Sequence, residues 1–249
     1  MRPYLLNSRI NKFICYPLMI FGLCLIANTA SSEIIGSQRA VLHDDIVHYT
    51  FDVDLGPGAF DTIRIHRVVR EKRPGQPVAT KDAIFMLPGS PNYFEAVFVP
   101  PLISDSIPQD HSIAMFLAKN GIDVWGMDYA WAMVPIQTSD FGFMEDWGLE
   151  RDIDYAEQAL DLVRSIRVST GQGKPRLHVL GFSYGVPIAY AIAGNETQRP
   201  PGQRHVKGIV SVDYDLKVID EPQRQVSCAG AANGQAKVDE GIFQNDSGA

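Results

Sequence analysis

The stretch that decides the fold is L-H-V-L-G-F-S-Y-G at residues 177–185. It opens with an apolar run, Leu177 to Leu180, that has the length of a buried strand. A run of small and apolar residues follows it, from Val186 to Ala193, and its composition favours a helix. Ser183 lies between the two in a G-x-S-x-G pattern. A strand that turns sharply into a helix would hold the hydroxyl of this serine above the sheet, where it can act as a nucleophile.

The flanking glycines fit the same geometry. Gly181 and Gly185 would prevent a clash where the backbones of the strand and the helix cross. The N-terminus of the helix would point at Ser183, and its partial positive charge would favour a developing oxyanion. The alternative is a glycine-rich turn that carries an incidental serine.

Working outward from this segment, short apolar runs alternate with helical patterns. Such alternation is typical of a mostly parallel sheet covered by helices on both faces. The strands are expected at 83–87, 122–127, 177–182 and 206–212, with helices near 109–119, 149–168 and 185–193. Before this region, residues 46–55 and 62–70 alternate polar and apolar side chains around the turn Gly56-Pro57-Gly58, which predicts an antiparallel hairpin.

Three segments together resemble the α/β-hydrolase superfamily, over roughly residues 83–213. H-V-L-G-F-S-Y-G (178–185) resembles its nucleophile elbow. M-L-P-G-S-P (86–91) resembles its oxyanion loop, with Pro88 where the family often has histidine. G-I-D-V-W-G-M-D-Y (121–129) resembles the strand before the elbow in serine esterases and lipases. The resemblance implies an α/β fold with a mostly parallel sheet, an N-terminal antiparallel hairpin and an incomplete C-terminal part.

The resemblance also assigns roles. It makes Ser183 the nucleophile and gives the oxyanion hole the backbone N–H groups of Ser90 and Tyr184. Gly89 is a further candidate donor, because the prolines on either side of Gly89 and Ser90 have no N–H. The alternative is a turn stiffened by proline.

In this family the acid and then the histidine follow the serine in the chain. Asp213 is a candidate acid, as is Asp215, and the alternative is a loop carboxylate. His205 is the only histidine after Ser183. It precedes the strand 206–212, so it is expected at the opposite end of the sheet, capping or solvating a loop. The resemblance thus leaves the base unassigned.

The earlier histidines are not expected to supply a base. His178 is expected to be a core or cross-strand residue. The cluster His43, Asp44, Asp45 and His48 lacks metal-ligand spacing and is expected to form a solvated edge. No metal and no cofactor are expected.

Two apolar loops should lie at the edge of the sheet that carries the elbow, Tyr93 to Val99 and the aromatic and Met-rich stretch 129–147. They predict a small-molecule ester or another apolar acyl substrate, unless they only pin these segments to the core. Ser rather than Asp at the elbow disfavours dehalogenase and epoxide hydrolase chemistry. The main functional alternative is a non-catalytic binding or interaction protein on the same fold.

The 249 residues carry a net charge of −7 and show no basic stripe, so a nucleic-acid partner is not expected.

Residues 1–30 resemble a signal peptide, which predicts a secreted or periplasmic protein whose membrane association is limited to an uncleaved signal. The remaining divisions are a hairpin region at 31–82, the hydrolase core at 83–219, and the start of a helical cap or a truncated tail at 220–249. We expect a truncated chain with little or no activity, in which Cys228 is a free thiol or has lost its partner.

Overall fold

The computed structural model describes residues 32–173, 176–215 and 217–243. The predicted signal peptide lies outside the described residues. Within them, no helix combines the length and the apolar character that crossing a membrane requires.

One mixed sheet forms the centre of the molecule. Its order is β1-β2-β3-β6-β5-β7-β8, and the two-residue β4 pairs with β3 beside this path. The first three strands and the β3–β6 contact are antiparallel, whereas β6, β5, β7 and β8 run parallel. The strands are β1 (Glu33–His43), β2 (Ile46–Asp54), β3 (Thr62–Arg73), β4 (Gln76–Pro77), β5 (Asp82–Leu87), β6 (Ile122–Asp128), β7 (Leu177–Phe182) and β8 (Val206–Val212).

The antiparallel part is larger than the hairpin that the sequence predicts. The expected strands correspond to β2 and β3, but a third strand, β1, pairs with β2 from Glu33↔Asp54 to His43↔Ile46. Most of β1 is exposed, so its side chains show little of the apolar alternation that marks a strand. An edge strand is held by backbone hydrogen bonds to its neighbour, and these leave no pattern in the sequence.

Helices cover both faces of the sheet. α3 and α4 contribute Leu160 and Ile188 to a core cluster around Phe85 and Trp125. On the other face, α1 and α2 contribute Phe94 and Met115 to a smaller cluster. The helices are α1 (Phe94–Phe98), α2 (Ile113–Lys119), α3 (Leu149–Ser169), α4 (Gly185–Thr197) and α5 (Glu221–Asp239).

One local prediction on the second face was wrong, and one predicted helix is present but begins later than expected. The segment Tyr93 to Val99 is mostly the helix α1 rather than a loop, and Phe94 and Phe98 are buried. The helix predicted near 109–119 begins at Ile113, because the Ser112 side chain accepts the N–H of Met115 (3.1 Å) and caps it there.

A buried ion cluster joins the sheet to α3. The carboxylate of Asp123 is fully buried in β6. It accepts hydrogen bonds from Nε of Arg67 (2.8 Å) and from Nε of Arg167 (3.0 Å). The cluster links β3, β6 and α3 at the end of the sheet where β6 begins.

The last two elements are more exposed. β8 ends the sheet order, and Val210 and Val212 are 40% and 38% exposed. In α5 no residue is buried. The Asp220 side chain accepts the N–H of Gln223 (3.1 Å) and caps the start of α5, and Cys228 is exposed within it.

Candidate active site

Ser183 occupies a sharp turn between β7 and α4. Its φ of +48° lies in the left-handed region, which a non-glycine residue seldom adopts. The turn is held on both sides: Ser183 donates its N–H to the Val212 carbonyl (2.9 Å), and its own carbonyl accepts the N–H of Val186 (2.9 Å). Backbone strain of this kind tends to occur at functional sites, so the turn marks Ser183 as a candidate.

Close backbone packing requires both glycines of the G-x-S-x-G pattern. A Cβ on Gly181 would lie 2.3 Å from the Gly185 carbonyl oxygen. A Cβ on Gly185 would lie 2.3 Å from the Leu87 carbonyl oxygen. Both contacts are with backbone, which cannot move aside cheaply, so the crossing of β7, α4 and β5 requires glycine at both positions.

The loop after β5 lies directly against this turn. A Cβ on Gly89 would come within 2.8 Å of the Ser183 Cβ, so the Gly89 backbone is in close contact with the serine. The Pro88 carbonyl accepts the Tyr129 hydroxyl (3.2 Å), and the Gly89 carbonyl accepts the N–H of Asn92 (2.8 Å). Gly89 is buried and Ser90 is exposed. The structure thus brings the segment with the predicted oxyanion donors next to Ser183.

Tyr184 is the N-cap residue of α4, a helix of 13 residues. In the described part of the chain, no acceptor binds the backbone N–H of Tyr184 or of Ser90. Free N–H groups at a helix N-terminus can stabilise negative charge on an oxygen bound beside Ser183.

A buried carboxyl that the sequence did not reveal lies behind the turn. The Tyr184 hydroxyl donates to Oδ2 of Asp152 (2.8 Å), and Nε1 of Trp131 donates to the same oxygen (3.3 Å). Burial raises the pKa of Asp152, and burial together with this carboxyl raises the pKa of Tyr184. Asp152 therefore ties α3 and the segment after β6 to the turn at Ser183.

Asp213 lies at the end of β8, next to the end of β7 that carries Ser183. Phe182↔Val212 is the last pair of residues between the parallel strands β7 and β8. Ser183 directly follows Phe182, and Asp213 directly follows Val212. Asp213 also has a left-handed φ, +57°. Its side chain and that of Asp215 are exposed, and neither makes a hydrogen bond within the described residues.

All six histidines lie in the described ranges, and none of them forms a hydrogen bond with Ser183. His178 is half-exposed and lies 3.7 Å from Asp82 on the neighbouring strand. His205 lies at the opposite end of the sheet from Ser183, as expected, and its backbone carbonyl accepts the N–H of Leu177 (2.8 Å) at the start of β7.

The prediction that His205 solvates a loop was wrong, because the ring is buried. Its Nδ1 lies 2.7 Å from Oε1 of Glu196, and Glu196 also accepts the N–H groups of His205 (2.6 Å) and Val206 (2.7 Å). Its Nε2 lies 2.9 Å from Oδ1 of Asp161, as an ion-pair contact rather than a regular hydrogen bond. Contact with Asp161, and then with Glu196, raises the pKa of His205, and the same contact lowers the pKa of Asp161.

These directions predict how the pair affects stability. A raised histidine pKa stabilises the fold fully below the unfolded value of about 6.5 and stops doing so as pH rises through the folded pKa. A lowered aspartate pKa stabilises the fold above about 3.9 and stops doing so as pH falls. We expect His205→Gln to lower the free energy of unfolding most near pH 5–6 and less at pH 8–9, in urea titrations. Gln203→Ala, at a nearby exposed position that carries no titratable group, is the control and should show no such trend. A loss for His205→Gln that grows with pH would contradict this assignment.

The expected solvated edge around His48 is also wrong in part, because His48 and His66 are both buried. His48 Nε2 lies 2.9 Å from His66 Nδ1, and His66 Nε2 lies 2.9 Å from Oδ2 of Asp128. Burial, reinforced by the His66 ring, lowers the pKa of His48 to about 3. His43, Asp44 and Asp45 are exposed or half-exposed, as expected.

Together with Glu95, these two histidines have ligand atoms within 4.8 Å of one another, as a metal site requires. The rings, however, are nearly parallel (6°) with centroids 5.2 Å apart, which is the full length of two imidazoles joined end to end by one N···N hydrogen bond. The two lone-pair directions then lie on one line. A shared proton satisfies this arrangement, whereas a metal ion bound at about 2.0–2.1 Å from both nitrogens does not fit between them.

The two apolar segments contribute differently. Phe94, Phe98 and Val99 are buried against the sheet, so most of the first segment pins α1 to the core. In the second segment Tyr129 is buried, while Trp131 and Trp147 are half-buried. Phe143 packs edge-on against Trp147 and is tilted against the rings of Phe60 and Phe141.

The architecture matches solved structures. A candidate lipase from Sulfolobus solfataricus superposes with a TM-score of 0.54 at 20% identity, over 75% of this chain and 54% of that chain. A cold-adapted esterase from an Arctic intertidal metagenomic library gives a TM-score of 0.47 at 12% identity, over 72% of this chain and 64% of that chain. Thermogutta terrifontis esterase 2 phosphonylated by sarin gives 0.42 at 11% identity, over 78% and 64%.

The Sulfolobus match and the strand order define the class of structure: the chain has the α/β-hydrolase fold, with a sheet that is not closed. The matched region spans about half the length of the Sulfolobus protein. No protein-family model matches the chain, and no curated protein matches it in sequence.

Proposed function

We propose that this protein is a serine hydrolase that acts on small-molecule esters, with Ser183 as its nucleophile. The observation that carries the proposal is the left-handed turn at Ser183, packed between β7, α4 and the Gly89 backbone. A serine held in this way presents its hydroxyl at the carboxyl edge of a parallel sheet, where ligands bind in open α/β folds. The half-buried aromatic side chains around Trp131 and Trp147 favour an apolar acyl group.

The proposed reaction is acyl transfer. The Ser183 oxygen attacks the ester carbonyl carbon, and the N–H groups of Ser90 and Tyr184, with Gly89 as a further donor, stabilise the oxyanion. The bond to the alcohol oxygen then breaks, and the alcohol leaves with a proton. Water hydrolyses the acyl-Ser183 intermediate and restores the enzyme.

The hydroxyl must lose its proton during the attack, and a serine without an adjacent base is a weak nucleophile. No histidine of this chain forms a hydrogen bond with Ser183, although all six lie in the described ranges. We therefore propose that this chain reacts slowly, and that Asp213 is the acid that would orient a histidine. Export to the periplasm or the cell exterior, based on residues 1–30, is part of the same proposal.

The second candidate is a non-catalytic binding protein on the same fold. The observation that favours it is the same lack of a contacting base among the described residues. The two candidates differ in one respect: only a hydrolase forms a covalent bond through Ser183.

A fluorophosphonate probe tests this difference. We expect slow labelling of the chain, mapped by mass spectrometry to the peptide that contains Ser183, and no labelling of Ser183→Ala. The matched control is Ser211→Ala, a serine on the neighbouring strand paired with Gly181, which should label like the parent chain.

Labelling that persists in Ser183→Ala would overturn the nucleophile assignment. No labelling of the parent chain at high probe concentration would favour the binding protein. Rapid labelling would contradict the proposed slow reaction and show that a base reaches Ser183.

A further inference from the structure

A chain of hydrogen bonds crosses the sheet and ends at the loop beside Ser183. Asp128, at the end of β6, accepts the backbone N–H of Phe94 through Oδ1 (2.6 Å) and contacts His66 through Oδ2 (2.9 Å). His66 on β3 is in turn joined to His48 on β2. Phe94 begins α1 and directly follows the loop 88–93, so its anchor fixes one end of that loop.

The proton positions in this chain follow from the chemistry of its members. An ionised carboxylate only accepts hydrogen bonds, so His66 Nε2 must donate to Asp128. With its proton on Nε2, His66 can accept a hydrogen bond at Nδ1, and His48 Nε2 is then the donor to it. His48 Nδ1 is left without a proton and faces Glu95 Oε1 at 3.8 Å, too far for a hydrogen bond. The contacts His48–His66 and His66–Asp128 are therefore hydrogen bonds, whereas the contact His48–Glu95 is not.

The Phe94 side chain packs against the histidines that this chain of hydrogen bonds contains. The Phe94 ring stacks on His66, with centroids 4.5 Å apart and planes at 11°. It reaches this position because residue 126, which pairs with His66 across the sheet, is glycine. A Cβ on Gly126 would lie 2.3 Å from the Phe94 ring. The same residue thus binds Asp128 through its backbone and covers the His66 ring with its side chain.

We propose that His48 and His66 are positioning residues that act through Asp128 to hold the Phe94 N–H, and with it the oxyanion loop, beside Ser183. The catalytic meaning of this role rests on the proposed hydrolase function. The hydrogen-bonded chain from His48 through His66 and Asp128 to the Phe94 N–H, here named the relay, rests on geometry alone. His48 fixes the tautomer of His66, His66 keeps Asp128 oriented as a double acceptor, and Asp128 anchors the loop to the sheet.

The variant Asp128→Asn tests the relay with little change in shape. Its carboxamide oxygen can still accept from Phe94, but its NH₂ group faces His66 Nε2 as a donor. His66 and His48 should then both change from the Nε2–H to the Nδ1–H tautomer, which places the His48 proton on the side of the ring that faces Glu95. Long-range ¹H–¹⁵N spectra of histidine-labelled protein report these tautomers directly.

Native-state hydrogen exchange gives the second measurement. Loss of the charged acceptor should lower the protection of the Phe94 amide by about tenfold or more beyond any change in the most protected core amides. A merely structural defect would lower both together. Glu95→Gln is the matched control. No proton lies between His48 Nδ1 and the Glu95 carboxylate in the proposed arrangement, so this change should leave the tautomers and the relative Phe94 protection as in the parent chain.

The relay is overturned if Asp128→Asn leaves the tautomers unchanged, or if Phe94 loses no more protection than the core. It is equally overturned if Glu95→Gln switches the tautomers, since His48 Nδ1 would then already carry the proton. Neither measurement needs a reactive Ser183. A chain that takes no fluorophosphonate but shows the tautomer switch would refute the hydrolase and leave the relay standing.

Discussion

Replacing Ser90 by proline is expected to slow the labelling of Ser183 by a fluorophosphonate about 10²–10³-fold, the usual effect of removing one oxyanion donor. Proline has no N–H, so the change deletes the backbone group that the proposal assigns to the oxyanion. Ser90→Ala keeps that N–H and removes only an exposed hydroxyl, so its labelling rate should stay close to that of the parent chain.

The comparison of the two variants is the measurement, made on proteins whose thermal unfolding shows that both are folded. Equal slowing by alanine and proline would assign the effect to the hydroxyl. No slowing by proline would remove Ser90 from the oxyanion hole and leave Tyr184 and Gly89 as its donors.

The largest loss of stability is expected for Asp123→Ala, at about 3–5 kcal/mol in the free energy of unfolding. The carboxylate of Asp123 is fully buried between Arg67 and Arg167. Its removal leaves two buried guanidinium groups without the carboxylate that they share.

The control for this change is Asp52→Ala. Asp52 also binds an arginine, Arg64 (2.7 Å), but both side chains of that pair are about one third exposed. Solvent screens such a pair, so its loss should cost less than about 1 kcal/mol. Urea titration of both variants decides the matter, and similar losses would show that burial does not set the strength of the Asp123 cluster.

The part of the fold that the sequence predicts well is the part with local signals. β5, β6, β7 and β8 are short, mostly apolar runs, and the observed bounds differ from the predicted ones by a residue at most. The turn at Ser183 is readable because glycine, serine and glycine lie in consecutive alternate positions. The Gly89 contact with Ser183 follows from the same matched segments.

The elements that escaped prediction depend on partners far away in the chain. β1 becomes a strand because β2 offers it an edge, and α1 becomes a helix because Phe94 and Phe98 are buried against the sheet. The bond between His48 and His66 joins residues 18 apart, and the bond between His66 and Asp128 joins residues 62 apart. No spacing rule for a helix or a strand connects such positions, so a three-dimensional structure is needed to find them.

The exposure of α5 has a consequence for how freely the protein can be altered. Because none of the residues Glu221–Asp239 is buried, substitutions along this helix remove no core contacts. Changes on an exposed surface usually cost within about 0.5 kcal/mol. A fluorescent label attached at Cys228, or an affinity tag grafted into this helix, would therefore report on the protein while leaving the sheet and the turn at Ser183 unperturbed.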